Sequence, residues 1–259
     1  MARDIVQGLK FRKQPEAFDA TRLAGVLENA YVLQKRPDGF TQKKTFAPSS
    51  IGYGKGTCPR YWHIAFNGAE FVDLVDAMGI ANMANGTQAH ERIEKLFEDA
   101  GILVSKEVEI KLSDPPIFGY ADVLIRWDNE IVIGEIKTTR QETFLHRQAT
   151  MKPSANHLIQ ILIYLRATGK KHGFLLYENK NDQTFLVIPV EMNETNAKIL
   201  DDVFEWLREV YANYQEGTIP ARPWTKKNKA CKECPVFDAC WNKLEDGTVV
   251  IAPMELPKL

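Results

Sequence analysis

Three side chains, Asp122, Glu135 and Lys137, have the types and spacing needed to hold a divalent cation against a phosphate ester. The segments that carry them, 117–127 and 131–138, are rich in β-branched and aromatic residues, and Asp128-Asn129 between them suits a two-residue hairpin turn. Such a turn pairs Trp127 with Glu130. Counting back along both strands then sets Asp122 opposite Glu135, with Cβ atoms ~5 Å apart. Lys137 returns to the face of Glu135 because strand side chains alternate.

Two carboxylates held this close repel, and burying either one charged is costly. A divalent cation removes the conflict. Oxygen-rich sites of this kind suit Mg²⁺ or Mn²⁺, which bind phosphate oxygens and lower the pKa of a bound water. Lys137 could hold the attacking water or stabilise charge on a pentacovalent phosphate. The same three residues are also compatible with an exposed strand face carrying a Glu–Lys ion pair.

A second signal lies in the cysteines. Cys231, Cys234 and Cys240 form C-x2-C-x5-C, and Cys58 stands far upstream in Thr57-Cys58-Pro59-Arg60-Tyr61-Trp62. Three clustered ligands and a remote one would close a tetrathiolate site and join distant parts of the chain, where loop closure stabilises most in theory. Ligand identity alone leaves zinc, an iron–sulfur cluster and free thiols open.

The composition narrows the rest. A chain of 259 residues with 44% hydrophobic content can build a real core as one large domain or two small ones. Lys and Arg total 33 against 34 for Asp and Glu, so no global basic field announces a nucleic acid and any DNA contact must be local. No apolar run reaches the ~20 residues of a membrane span, and the first residues lack the apolar stretch of a signal peptide. A cytoplasmic protein with reduced or metal-bound cysteines is expected.

The elements that must position these residues follow from periodicity. Residues 16–34 predict an amphipathic helix with Phe18, Leu23, Val26, Leu27, Ala30 and Leu33 on its apolar stripe, and 35–48 a turn and an extended segment. Pro48-Ser49-Ser50 offers N-cap chemistry for a helix carrying Cys58 and Arg60, although nearby glycines and Pro59 work against it. Gly52 to Thr57 is not a phosphate loop, because it lacks the Gly-Lys-Ser/Thr ending and a preceding strand. Residues 80–100 predict a helix with His90, Ile93 and Phe97 facing inward, and 104–112 a strand running through Asp114-Pro115-Pro116 into the hairpin. Ser154 predicts the cap of a helix that ends at Gly169 and sets Gln160 and Tyr164 on one face. Strands at 172–179 and 184–190 and a helix at 193–215, with Val203, Trp206, Leu207, Val210 and Tyr214 inward, complete the series. This order predicts an α/β sandwich with a mixed central sheet flanked by helices.

Four short motifs stand in a recognisable order: Gly86-Thr87-Gln88-Ala89-His90, Gly119-x-x-Asp122, Glu135-Ile136-Lys137 and Gln160-x3-Tyr164. In this the chain resembles a RecB-like nuclease of the PD-(D/E)XK superfamily. Its cysteine pattern resembles the iron–sulfur branch that includes the CRISPR-associated exonuclease Cas-four and the AddB nuclease subunit. Together the matches span residues 50–241.

The resemblance implies a restriction-endonuclease-like fold over a single domain, 1–259. Its catalytic core would lie at about 80–192, and segments at about 50–68 and 222–245 would be joined by the cluster. It implies that Asp122, Glu135, the Ile136 carbonyl and His90 ligate Mg²⁺ or Mn²⁺, that Lys137 is the catalytic lysine, and that Gln160 and Tyr164 flank the site. Cys58, Cys231, Cys234 and Cys240 would bind a structural [4Fe–4S] cluster. The implied activity is phosphodiester hydrolysis, as an exonuclease on single-stranded DNA or DNA ends in recombination, repair, replication or CRISPR-type processing. The alternatives are a structure-specific endonuclease on the same scaffold and a DNA-binding module with an idle site. A single strand needs a basic groove with aromatic platforms, for which Lys43, Lys44, Arg60, Arg140, Arg147, Lys152, Tyr61 and Trp62 are the candidates. Protein partners in recombination or CRISPR adaptation, and homo-oligomers like those of ring-forming relatives, are further expectations.

Overall fold

A computed structural model describes residues 19–35 and 38–259. The chain divides into two compact units, Met1–Pro37 with Val75–Ala84 and Asp38–Leu74 with Asn85–Leu259. In the smaller, helix α1 (Ala20–Val32) starts where Asp19 accepts the Arg22 amide at 2.9 Å. It ends at Val32, two residues before the periodicity predicts, and the expected start at 16–18, Phe18 included, lies outside the described residues. Its apolar stripe is not buried: Leu23, Val26, Leu27 and Leu33 are all exposed. Among the described residues no helix is long and apolar enough to cross a membrane.

The larger unit begins with a two-stranded ribbon, β1 (Gly39–Thr41) against β2 (Ala69–Phe71), that encloses helix α2 (Pro59–Asn67). Pro59 occupies the first turn of α2, where its missing N–H costs nothing, and Cys58 stands outside as the N-cap. The helix expected to carry Cys58 therefore starts one residue after it. After α3 (Ala77–Asp99) come β3 (Leu103–Ser113), β4 (Pro116–Trp127) and β5 (Glu130–Thr139), then α4 (Gln141–Thr150) and α5 (Ala155–Thr168). The series closes with β6 (His172–Asn179), β7 (Phe185–Glu191), α6 (Glu194–Gln215) and the short α7 (Lys229–Lys232).

The five strands β3 to β7 form one sheet in sequence order, antiparallel throughout except for the parallel β5–β6 pair. It is the mixed sheet expected, because α4 and α5 between β5 and β6 supply the crossover that a parallel pair requires. One face buries Val123, Ile125, Ile136, Phe174 and Leu176 against Ile93 of α3. The other face packs on α5 and α6 through a larger core that includes Ile133, Leu175, Ile161, Leu162 and Leu207. Val203, Leu207 and Val210 of α6 are buried as its stripe predicts, with Trp206 and Tyr214 partly so.

Two glycines permit close approaches around the hairpin. A Cβ on Gly134 would lie 2.1 Å from the ring of Phe174, its ladder partner on β6. A Cβ on Gly119 would lie 2.8 Å from Pro48, whose segment runs along β4 and exchanges backbone bonds with it, Phe46 N to Pro116 O at 2.8 Å and Phe118 N to Phe46 O at 3.0 Å. Neither position has room for a side chain.

Candidate active site and cysteine site

The hairpin register is the one the turn dictates: Trp127 pairs with Glu130, with Asp128 at φ +50°, and the pairing continues to Val123–Gly134. There the ladder stops. One residue on, the Asp122 carboxylate accepts the Ile136 amide through Oδ2 at 2.6 Å, so a side chain replaces the next rung and the two strands part around it. Asp122 thus sits beside Glu135 with its other oxygen, Oδ1, 3.6 Å from His90 Nδ1 on α3.

Glu135 is buried, and its two oxygens have different surroundings. Oε1 accepts from Lys137 Nζ and from Gln160 Nε2, the latter at 2.7 Å, whereas Oε2 is buried without a hydrogen-bond partner. Burial raises its pKa to about 7 and the Asp122 charge pushes the same way, against the pull of Lys137. For His90, burial lowers the pKa, but the bond to Asp122 and its charge outweigh this and leave it raised.

Helix α5 braces the carboxylate. Gln160 Nε2 also reaches the Tyr164 hydroxyl at 2.6 Å, and that hydroxyl donates to the Tyr120 carbonyl at 2.9 Å, tying α5 to β4 two residues before Asp122. Burial and the negative charge of Glu135 drive the Tyr164 pKa upward, so it stays a neutral donor. His90, Asp122, Glu135, Lys137, Gln160 and Tyr164, expected at one site, do lie around one point at the parting of β4 and β5. An unpaired buried carboxylate oxygen beside a second carboxylate and an imidazole suits a hard divalent cation.

The second cluster also assembles. Cys58, Cys231, Cys234 and Cys240 line one cavity of about 30 Å³, walled by Tyr61, Trp224, Phe237 and Trp241. Burial pushes the thiols of Cys58 and Cys234 up to about 12. Arg60 is fully buried beside them, with Nε donating to Cys240 Sγ at 3.3 Å and Nη1 to the Pro220 carbonyl at 2.6 Å. Arg222 donates to the Cys240 carbonyl at 2.7 Å from a position over the Trp241 ring. The donor set fits a group that prefers thiolates. As the side chains stand, no three His, Cys, Asp or Glu among the described residues converge closely enough to hold a single metal ion.

Several candidates for a DNA groove are not at the surface. Trp62 is fully buried and donates Nε1 to the Gly56 carbonyl at 2.8 Å, Tyr61 is buried in the same core, and Arg60 is committed to the cysteine segment. Arg147 is buried too, contacting Thr139, Ser154 and Tyr177. Ser154 is the N-cap of α5 in backbone position only, because its hydroxyl turns to Arg147 and does not bond the helix amides. Lys44, Arg140 and Lys152 are exposed, and Lys43 is half-buried. Sequence reasoning missed α4, whose short and weakly patterned run follows Lys137 and supplies Arg147.

A model of the PD-(D/E)XK nuclease superfamily matches residues 83–241, more than half of the chain and every candidate metal ligand on the hairpin and on α3. Members of that superfamily use divalent metals such as Mg²⁺ or Mn²⁺. No curated protein matches the chain. Among solved structures, an alkaline exonuclease from Laribacter hongkongensis is similar at 17% identity, over 52% of this chain and 71% of that one, with a TM-score of 0.42. The same enzyme in complex with dAMP gives a TM-score of 0.43. The crystal structure of SSO0001 is similar at 18% identity over 88% of this chain and 99% of that one, with a TM-score of 0.45. These likenesses are distant, and the family match is the one that assigns the chain: it belongs to the PD-(D/E)XK nuclease superfamily.

Proposed function

We propose that this protein is a Mg²⁺- or Mn²⁺-dependent DNA exonuclease that hydrolyses phosphodiester bonds, acting on single-stranded DNA or DNA ends. The observation that carries the hydrolytic reading is the Glu135 carboxylate, with Oε1 fixed by Lys137 and Gln160 and Oε2 left without a partner beside Asp122. Asp122, Glu135, the Ile136 carbonyl and His90 would hold the ion. When bound, the ion would supply a water of lowered pKa and a Lewis acid for the phosphoryl oxygens.

The remaining work belongs to the chain's own side chains. Lys137 orients the attacking water and balances charge developing on the phosphate. Gln160 fixes the rotamer of Glu135, and Tyr164 fixes Gln160 against β4, so both act through the carboxylate. His90 must be neutral to ligate, and its raised pKa makes ion binding weaken as pH falls.

The preference for single strands and ends rests on the resemblance of the cysteine spacing to the iron–sulfur nucleases. In this reading Cys58, Cys231, Cys234 and Cys240 hold a [4Fe–4S] cluster that ties α2 to the segment after α6. Its role is structural, since hydrolysis needs no electron transfer. Incubation with linear and covalently closed circular single strands in Mn²⁺ tests the exonuclease. Linear strands should be degraded and circles spared; equal cleavage of both would make the protein an endonuclease.

A further inference from the structure

Arg147 is an unusual buried cation. Its guanidinium lies 4.5 Å over the Tyr177 ring and donates to two neutral hydroxyls, Thr139 Oγ1 at 3.1 Å and Ser154 Oγ. Among the described residues no carboxylate pairs with it. A buried charge is ordinarily paired, so an unpaired one beside a candidate active site points to an anion that arrives from outside.

Four features surround it. Thr139 lies two residues beyond Lys137 on the same face of β5, roughly 7 Å along the strand. The N-terminus of the 14-residue helix α5 opens here, with no acidic residue in its first turn and no side chain capping its amides. Such a terminus favours an anion. The imidazole of His157 faces Tyr177 at 2.9 Å, and burial followed by the charges of Lys137 and Arg147 brings its pKa down to about 3, so it stays neutral and adds no charge of its own. The Tyr177 hydroxyl is likewise a neutral group, its pKa raised mainly by burial.

We propose that the half-buried hydroxyls of Thr139 and Ser154 and the N-terminus of α5, backed by the charge of the buried Arg147 behind them, form a phosphate subsite one backbone step from the phosphate at Lys137. This inference rests on the nuclease reading and deepens it. The phosphate is either the terminal monophosphate of a strand or an internal phosphodiester, and both offer the same oxygens to these donors. Such a subsite sets which phosphate is presented for cleavage.

Metal-free binding tests it apart from hydrolysis. Affinities are measured in EDTA over a range of salt for internally labelled single-stranded oligothymidylates carrying a 5′-phosphate, a 3′-phosphate or neither. Arg147→Gln should weaken binding about tenfold. It should also lower the slope of log affinity against log salt by about 0.7, the contribution of one single-strand phosphate contact. Loss on all three strands assigns an internal phosphate, and loss confined to one phosphorylated strand assigns that terminus. Arg147→Lys, which retains the charge and most of the stem, should keep the slope and lose affinity, and it carries the test if the glutamine variant does not fold. Unchanged affinity and slope with a lowered melting temperature would mean that Arg147 only braces Tyr177, and would overturn the subsite. Wild-type protein that binds with the full slope but hydrolyses nothing in Mn²⁺ would leave the subsite standing and remove the nuclease reading. Wild-type protein that binds no strand would remove both.

Discussion

Replacing Glu135 by glutamine should stabilise the metal-free protein while abolishing its response to metal. The carboxyl of Glu135 rises from the ordinary 4.5 to about 7, chiefly through burial and then through the charge of Asp122. Between those values the native state binds more protons than the unfolded state, so stability falls as pH rises through the window. The cost is fully present above about pH 7 and absent below about 4.5. The shift corresponds to about 3 kcal/mol. Glutamine keeps the shape and the hydrogen bonds without the charge. In EDTA the variant should therefore melt roughly 6 to 12 °C above the wild type above pH 7, and at the same temperature below about pH 4.5. Adding Mn²⁺ at high pH should raise the wild type and leave the variant where it was. Calorimetry of both proteins across that range, with and without metal, makes the comparison. Equal metal-free stability at every pH, or an equal gain of both proteins from Mn²⁺, would refute the assignment of Glu135 as a strained, ion-awaiting carboxylate.

Three further outcomes follow from the same geometry. Tyr164→Phe removes the bond to the Tyr120 carbonyl and the partner of Gln160, and should cost about 1 kcal/mol by denaturant titration while slowing turnover more than it weakens metal binding. Arg92→Ala strands the buried Glu178 carboxylate, which Arg92 holds at 2.6 Å, and should cost about 3 kcal/mol. Cys234→Ser should lower the melting temperature and the iron content of anaerobically purified protein together, read by metal analysis and visible absorbance. Stoichiometric zinc without iron in the wild type would rule out the cluster.

The hairpin of the candidate site was legible because its register depends only on a local turn and on the alternation of side chains. Asp128-Asn129 fixes the pairing, and the rest is counting. The mixed sheet was legible too, since every predicted strand takes its place in it, although its order was not. What sequence reasoning missed was set by partners distant in the chain. Arg60 looked like a surface cation, but its guanidinium contacts Pro220 and Cys240, 160 and 180 residues away. Tyr61 and Trp62 looked like stacking platforms, yet they belong to the main core, which draws in residues as distant as Ile251 and Met254. Ser154 has the N-cap residue type, but a competing donor from α4 captures its hydroxyl. The stripe on α1 has clear helical periodicity and still gains no burial. Periodicity reports which face is apolar, not whether anything covers it.

The site residues stand or fall on one assay. Labelled single-stranded DNA is incubated with wild-type protein and Glu135→Ala in Mn²⁺, with EDTA as the control. Metal-dependent degradation by the wild type, reduced at least about 100-fold in the variant, is the result expected if Glu135 helps hold the ion. Unchanged nucleolysis by the variant would place the active site elsewhere.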